Sequence, residues 1–121
     1  MFTGHYTEVE AKAPGMAGAQ ATTRWLITRE RGAPNFALRV IEIAGRGERI
    51  PLHEHPYEHE IFVFEGRGRV FSDSEGRDLE PGDYAFVPPG EKHGFENTGD
   101  SPLRFICVIP IRPLGERSHL A

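Results

Sequence analysis

The chain reads as a small all-β domain, and three observations predict it. Fourteen Gly and ten Pro divide the 121 residues into short segments, the punctuation expected of strands recurring every ~8–12 residues. Between the breaks lie short apolar runs such as FALRVIEI, EIFVFEG and LRFICVI. No segment sustains a 3.6-residue apolar repeat, so long helices are not expected. A chain of this length supplies one core and no second.

Residues 1–20 are rich in Ala, Gly and Pro without periodicity and read as an N-terminal arm. The domain proper is expected over residues 21–111. Its first strand is ATTRWLIT (21–28), closed by the turn RGAPN (31–35). FALRVIEI (36–43) follows and ends at AGRG. After a His-rich segment come EIFVFEG (60–66) and GRVFSDS (68–74), a turn at SEGR, and a short RDLE. Pro81-Gly82-Asp83 is a turn with Pro and Gly where a turn backbone requires them. YAFVP (84–88), HGFEN (93–97) and LRFICVI (103–109) complete eight or nine strands. Residues 112–121 form a polar tail, expected to be loose.

Composition narrows the function classes. Fourteen Lys+Arg against eighteen Asp+Glu give a net charge of -4, with no basic run. That argues against a nucleic-acid footprint. A single Cys makes no internal disulfide and no thiolate zinc site. The start MFTGHYTEVE has no apolar core of a signal peptide, and no stretch approaches 18 apolar residues. A cytoplasmic protein that neither spans a membrane nor binds one is expected. IFVF and RFICVI carry apolar residues on both alternating faces. One face of each enters the core, and the other needs cover, which argues for a homodimer.

Six His are unevenly placed, and three of them fall within residues 53–59. On a strand, His53 and His55 project side by side, about 6.5 Å apart at Cα. Pro56 cannot continue a central ladder and marks a bend that swings His59 toward the same point. His93 follows another turn, Pro88-Pro89-Gly90-Glu91-Lys92. A lone His near a turn is usually a solvated residue, which is the reading for His5 and His119. Four converging imidazoles would instead make a nitrogen-rich site for a divalent transition metal.

These residues resemble the two motifs of the cupins. The first runs Gly, five residues, H-x-H, three or four residues, Glu, then about six residues to Gly. It is matched by Gly47, His53, His55, Glu60 and Gly66, with the last gap one residue short. The second, G-x5-P-x-G-x2-H-x3-N, is matched by Gly82, Pro88, Gly90, His93 and Asn97. The resemblance implies a single-domain β-barrel of the double-stranded β-helix, or jelly-roll, type with one divalent metal inside. Mn or Fe is expected first, with Ni, Cu, Co or Zn as alternatives.

Many cupins take a carboxylate as one ligand, which would be Glu60. The string HEHPYEHEIFVFEG instead looks like the small bacterial cupins that use four His. Parity favours the second form. His59, Ile61 and Val63 share one strand face, while Glu60, Phe62 and Phe64 share the other. If Ile61 and Val63 fill the barrel, the ligand set is His53, His55, His59 and His93. The reverse register, with Glu60 inward, remains open at this stage.

Four further residues are candidates for the pocket. Phe95 lies two positions past His93 and shares its face. Cys107 shares a face with Leu103, Phe105 and Ile109, and a buried Cys is more often a small hydrophobe than a reactive thiol. Arg39 shares a face with Ala37, Ile41 and Ile43. It is either an anion anchor or a structural ion pair, for instance with Glu42, and the pairing is preferred. Tyr57, in the bend, would line the mouth. The first functional reading is a metal-dependent oxygenase or oxidase acting on a small organic substrate, an anionic or bidentate oxygen ligand. The alternatives are a redox-neutral isomerase, hydrolase or lyase of sugar-acid type, and a non-catalytic binding or sensing module.

Overall fold

The computed structural model describes residues 1–111, so the tail expected from Arg112 lies outside the described residues. Nine strands build the domain: β1 (Thr22–Ile27), β2 (Phe36–Ile43), β3 (Arg49–His53), β4 (His59–Glu65), β5 (Gly68–Phe71), β6 (Gly76–Leu79), β7 (Tyr84–Val87), β8 (His93–Asn97) and β9 (Leu103–Pro110). Helical structure among the described residues is limited to single 3₁₀ turns at Tyr6–Glu8 and Arg29–Arg31. All pairings are antiparallel, in a five-stranded sheet ordered β1-β2-β9-β4-β7 and a four-stranded sheet ordered β3-β8-β5-β6. The all-β expectation holds.

Alternation dictates which side chains fill the space between the sheets. On β9, Leu103, Phe105, Cys107 and Ile109 are fully buried, while the residues between them are only half-buried. On β4, His59, Ile61 and Val63 are buried, whereas Glu60 and Phe62 are exposed. The register aligns these inward faces, setting Arg39 opposite Cys107 and Cys107 opposite Ile61. Phe105 lies in the middle of the core, opposite Ile41 and Val63 and packed at a tilt against Phe95, 4.8 Å between ring centres. Each fully buried side chain of this size contributes about 1.5–3 kcal/mol through removal from water.

Two motif residues hold the ends of the barrel rather than its chemistry. Gly66 has φ +83°, and a Cβ there would lie 2.2 Å from the carbonyl oxygen of Pro102. Only glycine admits that backbone and that approach. The fully buried Asn97 donates through its side-chain amide to the carbonyls of Ile43 (2.8 Å) and Ser101 (3.0 Å), and its Oδ1 accepts from Gly99 N–H (2.8 Å). It thereby ties the end of β8 to the end of β2.

The N-terminal arm is docked. Lys12 and Thr23 exchange backbone hydrogen bonds of 2.9 and 2.7 Å, and Gln20 N–H donates to the carbonyl of Arg49 at 2.9 Å. These two contacts draw residues 13–19 across one end of the barrel. Among the described residues, no helix is long and apolar enough to cross a membrane.

Candidate metal centre and its cavity

Three segments bring the imidazoles together. His53 ends β3 and pairs directly with His93, which begins β8, and their ring centres are 4.3 Å apart. His55 does not continue β3 as the H-x-H spacing suggested. The strand stops at His53, and a non-strand segment containing Pro56 carries the chain to β4. The carbonyl of His55 accepts from Gly90 N–H at 2.7 Å, which fastens this segment to the turn that delivers His93. His55 thus reaches the cluster from a loop, with its ring 4.7 Å from His53 and 5.8 Å from His93. One nitrogen from each of His53, His55 and His93 lies within 4.8 Å of the others. The ring of His59, on the inward face of β4, stands beside them, 4.8 Å from His55 and 5.2 Å from His93.

Hydrogen bonds fix two of the rings. His53 Nδ1–H donates to the carbonyl of Pro51 and His93 Nδ1–H to that of Glu91, each at 2.8 Å. A carbonyl only accepts, so the proton belongs on Nδ1 and the Nε2 lone pair is left free. His59 differs, because its Nδ1 lies 3.2 Å from the sulfur of Cys107. Nε2 of His59 and Nε2 of His93 are buried, and neither has a hydrogen-bond partner among the described residues. Two buried ring nitrogens in that condition are costly unless something occupies them.

Electrostatics keep His53, His59 and His93 uncharged. Burial, followed by the nearby Arg39 charge and the other imidazoles, lowers the His59 pKa to about 2. Burial lowers that of His93 to about 4 against the opposing bond to Glu91, and that of His53 is lowered for the same reasons. Neutral imidazole is the form that ligates a metal. Burial also raises the Cys107 thiol, so it stays protonated near neutrality. Neutral, converging nitrogen donors with buried lone pairs fit a divalent first-row transition metal.

The other candidates fall into place with two corrections. Phe95 is buried edge-on to His93, with ring centres 5.9 Å apart. Tyr57 does not line a mouth. It is 4% exposed and stacks on His55 at 4.8 Å and on His59 at 5.3 Å. Arg39 is not paired with Glu42, which faces the other side of β2 and bonds Arg104 at 2.8 Å. The guanidinium of Arg39 instead lies over the Trp25 ring at 5.2 Å and donates to Cys107 sulfur at 3.4 Å.

A cavity of about 300 Å³ opens beside the cluster, lined by the four His, Arg39 and Cys107, with Ile41, Ile61 and Phe95 among its apolar walls. Pro14, Gly15, Met16 and Ala19 of the arm close part of it, and the exposed Glu54 stands at its edge. The roofing role of the arm was not legible in the sequence. No periodicity marks those residues, and their position follows from two distant backbone contacts.

Comparison with known proteins agrees with this architecture. Residues 39–109 match the family profile described as the cupin domain. The structure of the polyketide cyclase RemF from Streptomyces resistomycificus superposes with a TM-score of 0.86 at 34% identity, covering 93% of this chain and 80% of that one. The tetracenomycin polyketide synthase protein TcmJ of Streptomyces glaucescens is 34% identical over 102 residues, 82% of this chain and 68% of its own. The oxalate-binding protein of Thermotoga maritima is 42% identical over 66 residues, and the match spans about half of either chain (52% and 53%). Fold, motif positions and these similarities agree: the chain belongs to the cupin family.

Proposed function

We propose that His53, His55, His59 and His93 together hold one divalent metal, and that the site acts on a small organic carbonyl compound without net oxidation. The observation that carries this reading is the composition of the inward set. The metal-facing side chains are imidazoles, of which His53, His59 and His93 are held neutral, and the one motif carboxylate, Glu60, is turned to solvent on β4. Four neutral ligands leave the charge of the ion uncompensated, which favours binding of an oxygen anion and disfavours a higher oxidation state. A bound ion would supply Lewis-acid polarisation of a carbonyl oxygen. The chain's own residues do the rest. The carbonyls of Pro51 and Glu91 hold two rings in the ligating tautomer, and Ile41, Ile61 and Phe95 give the cavity an apolar wall. Glu54, at the cavity edge, is the carboxylate available to move a proton. Similarity to the polyketide cyclase RemF supports cyclisation as the reaction class, and similarity to the polyketide synthase protein TcmJ supports a polyketide-type substrate.

The test is turnover of a poly-carbonyl substrate by metal-loaded protein with dissolved oxygen monitored. The expected product has the oxidation level of the substrate, formed equally without oxygen. Stoichiometric oxygen uptake would favour the second reading, an oxygenase. Its support is that four protein ligands would leave a six-coordinate ion two further positions, enough for substrate and dioxygen. Binding without turnover across a broad panel would favour a non-catalytic module.

Cys107 has a supporting part in this reading, since its sulfur lies 3.2 Å from His59 Nδ1. Cys107→Ala is expected to weaken metal binding by about 10–100-fold, measured by competition with a coloured chelator. An unchanged affinity would show that the sulfur does not hold the ring.

We also propose a homodimer through the outer face of the five-stranded sheet. There Phe62 lies opposite Tyr84 on one side and Ile106 on the other. Phe62, Tyr84 and Phe86 are between 46% and 83% exposed on this face, a run of aromatic surface that marks an interaction site. Trp25 is not part of it, because it packs against the core. Light scattering at micromolar concentration is expected to give a dimer for the full chain and a monomer for Phe62→Asp. A full-length monomer at all concentrations would remove the dimer.

A further inference from the structure

The least explained group inside the barrel is Arg39. It sits on the inward face of β2 between Trp25 of β1 and Cys107 of β9, its direct neighbours across the sheet. Only 8% of its surface is exposed. Yet no carboxylate lies within ion-pair distance of it among the described residues, while Arg104 on the opposite face of the same sheet is bound by both Glu42 and Glu65. One amino group of Arg39 reaches a thiol, a weak acceptor, and Nε is buried with no partner among the described residues. A guanidinium keeps its charge at every accessible pH and carries five donors in a planar fork. Burying that charge unpaired is unfavourable enough that such groups normally have an anion beside them.

The cavity supplies the place for one. Arg39 lines the same space of about 300 Å³ as the four His. The titratable groups facing it there are those imidazoles and the protonated Cys107, with Glu54 exposed at the edge. Ile41, Ile61 and Phe95 provide apolar wall for the body of a ligand. The guanidinium fork matches a carboxylate with two parallel hydrogen bonds.

We propose that Arg39 is the carboxylate anchor of this cavity, so that the substrate is a small organic acid with an apolar body, held by its carboxylate at Arg39 while its reacting end faces the histidines. This rests on the reading of the cavity as the small-molecule site, but not on the presence of a metal. Arg39 is a positioning and specificity residue here, since the groups facing the reacting end are the imidazoles.

Benzoate is the probe, with benzamide as its uncharged counterpart, titrated calorimetrically into metal-free and metal-loaded protein. Metal-free protein is expected to bind benzoate at least about tenfold more tightly than benzamide. Arg39→Gln is expected to abolish that preference, and Arg39→Lys to restore part of it. Nitrogen NMR of the wild-type guanidinium gives a second readout that needs no variant, and the Arg39 Nε–H resonance is expected to shift as benzoate is added. Equal binding of the two probes, a preference that survives Arg39→Gln, or an unmoved Nε resonance would each overturn the assignment. Benzoate binding confined to metal-loaded protein would also overturn it, placing the carboxylate on the ion. A failure of the metal reading would appear separately, as absence of bound metal in protein that still distinguishes the probes.

Discussion

His93→Ala is expected to leave the protein unable to retain a divalent metal through dialysis, whereas Glu60→Ala retains it at one ion per chain. The two residues differ in where the fold points them. His93 starts β8 with 2% of its surface exposed, paired with His53, its ring fixed by the Glu91 carbonyl. Its Nε2 has no partner among the described residues. Glu60 occupies the outward face of β4, beside Phe86 of β7 and Val108 of β9. Loss of a ligand exceeds loss of a hydrogen bond behind a ligand, so an affinity drop beyond about 100-fold is expected for His93→Ala. His59→Ala is expected to follow His93→Ala, because its Nε2 is equally buried and unpartnered among the described residues. Elemental analysis of dialysed protein reads all three. Metal lost from Glu60→Ala and kept in His59→Ala would place the carboxylate in the ligand set.

Metal-free protein is expected to lose stability steeply as the pH falls from about 6 to about 4. His59 titrates at about 2 and His93 at about 4 in the fold, whereas both titrate near ~6.5 in the unfolded chain. Above that pH neither state is protonated and these groups do not affect the balance. Below it the unfolded chain takes up protons that the fold refuses, so folding stability declines with each step toward acid. The decline continues until the folded groups also titrate. Each group contributes about 1.4 kcal/mol per pH unit in that window. The two together remove about 5 kcal/mol between pH 6 and pH 4, comparable with the whole stability of a small domain. Metal-loaded protein is expected to resist over the upper part of this range, since a bound ion favours the neutral imidazoles. Urea unfolding midpoints at several pH values, with and without metal, measure the effect. A flat midpoint in metal-free protein from pH 7 to pH 4 would contradict it.

What could be read from the residues follows physical locality. Alternation along β4 and β9 predicts which side chains enter the core, because the two-residue period is a property of the strand itself. The turn at Gly82 and the start of β8 at His93 are marked by Pro and Gly, which constrain the backbone where they stand. The path of His55 was not legible in the same way. Its approach depends on where β3 stops pairing with β8, and the pairing register is irregular between Ile50 and His53. Tyr57 lies off any strand, so parity gives it no direction, and stacking against two imidazoles decides its burial. Proximity along the chain does not give the partner of Arg39. Glu42 is three residues away, and three is an odd number in a strand, so it faces the opposite side. The arm carries no pattern at all, and its position over the cavity follows from tertiary hydrogen bonds alone.

X-ray absorption at the metal edge, on protein reconstituted with one divalent ion per chain, addresses the four-histidine centre directly. Scattering from four imidazole rings at first-row metal–nitrogen distances of about 2.0–2.2 Å is expected, falling to three in the His59→Ala protein if that variant is loaded by excess metal. A wild-type spectrum with three imidazoles and a carboxylate oxygen, unchanged by His59→Ala, would show that His59 is packed beside the metal rather than bound to it.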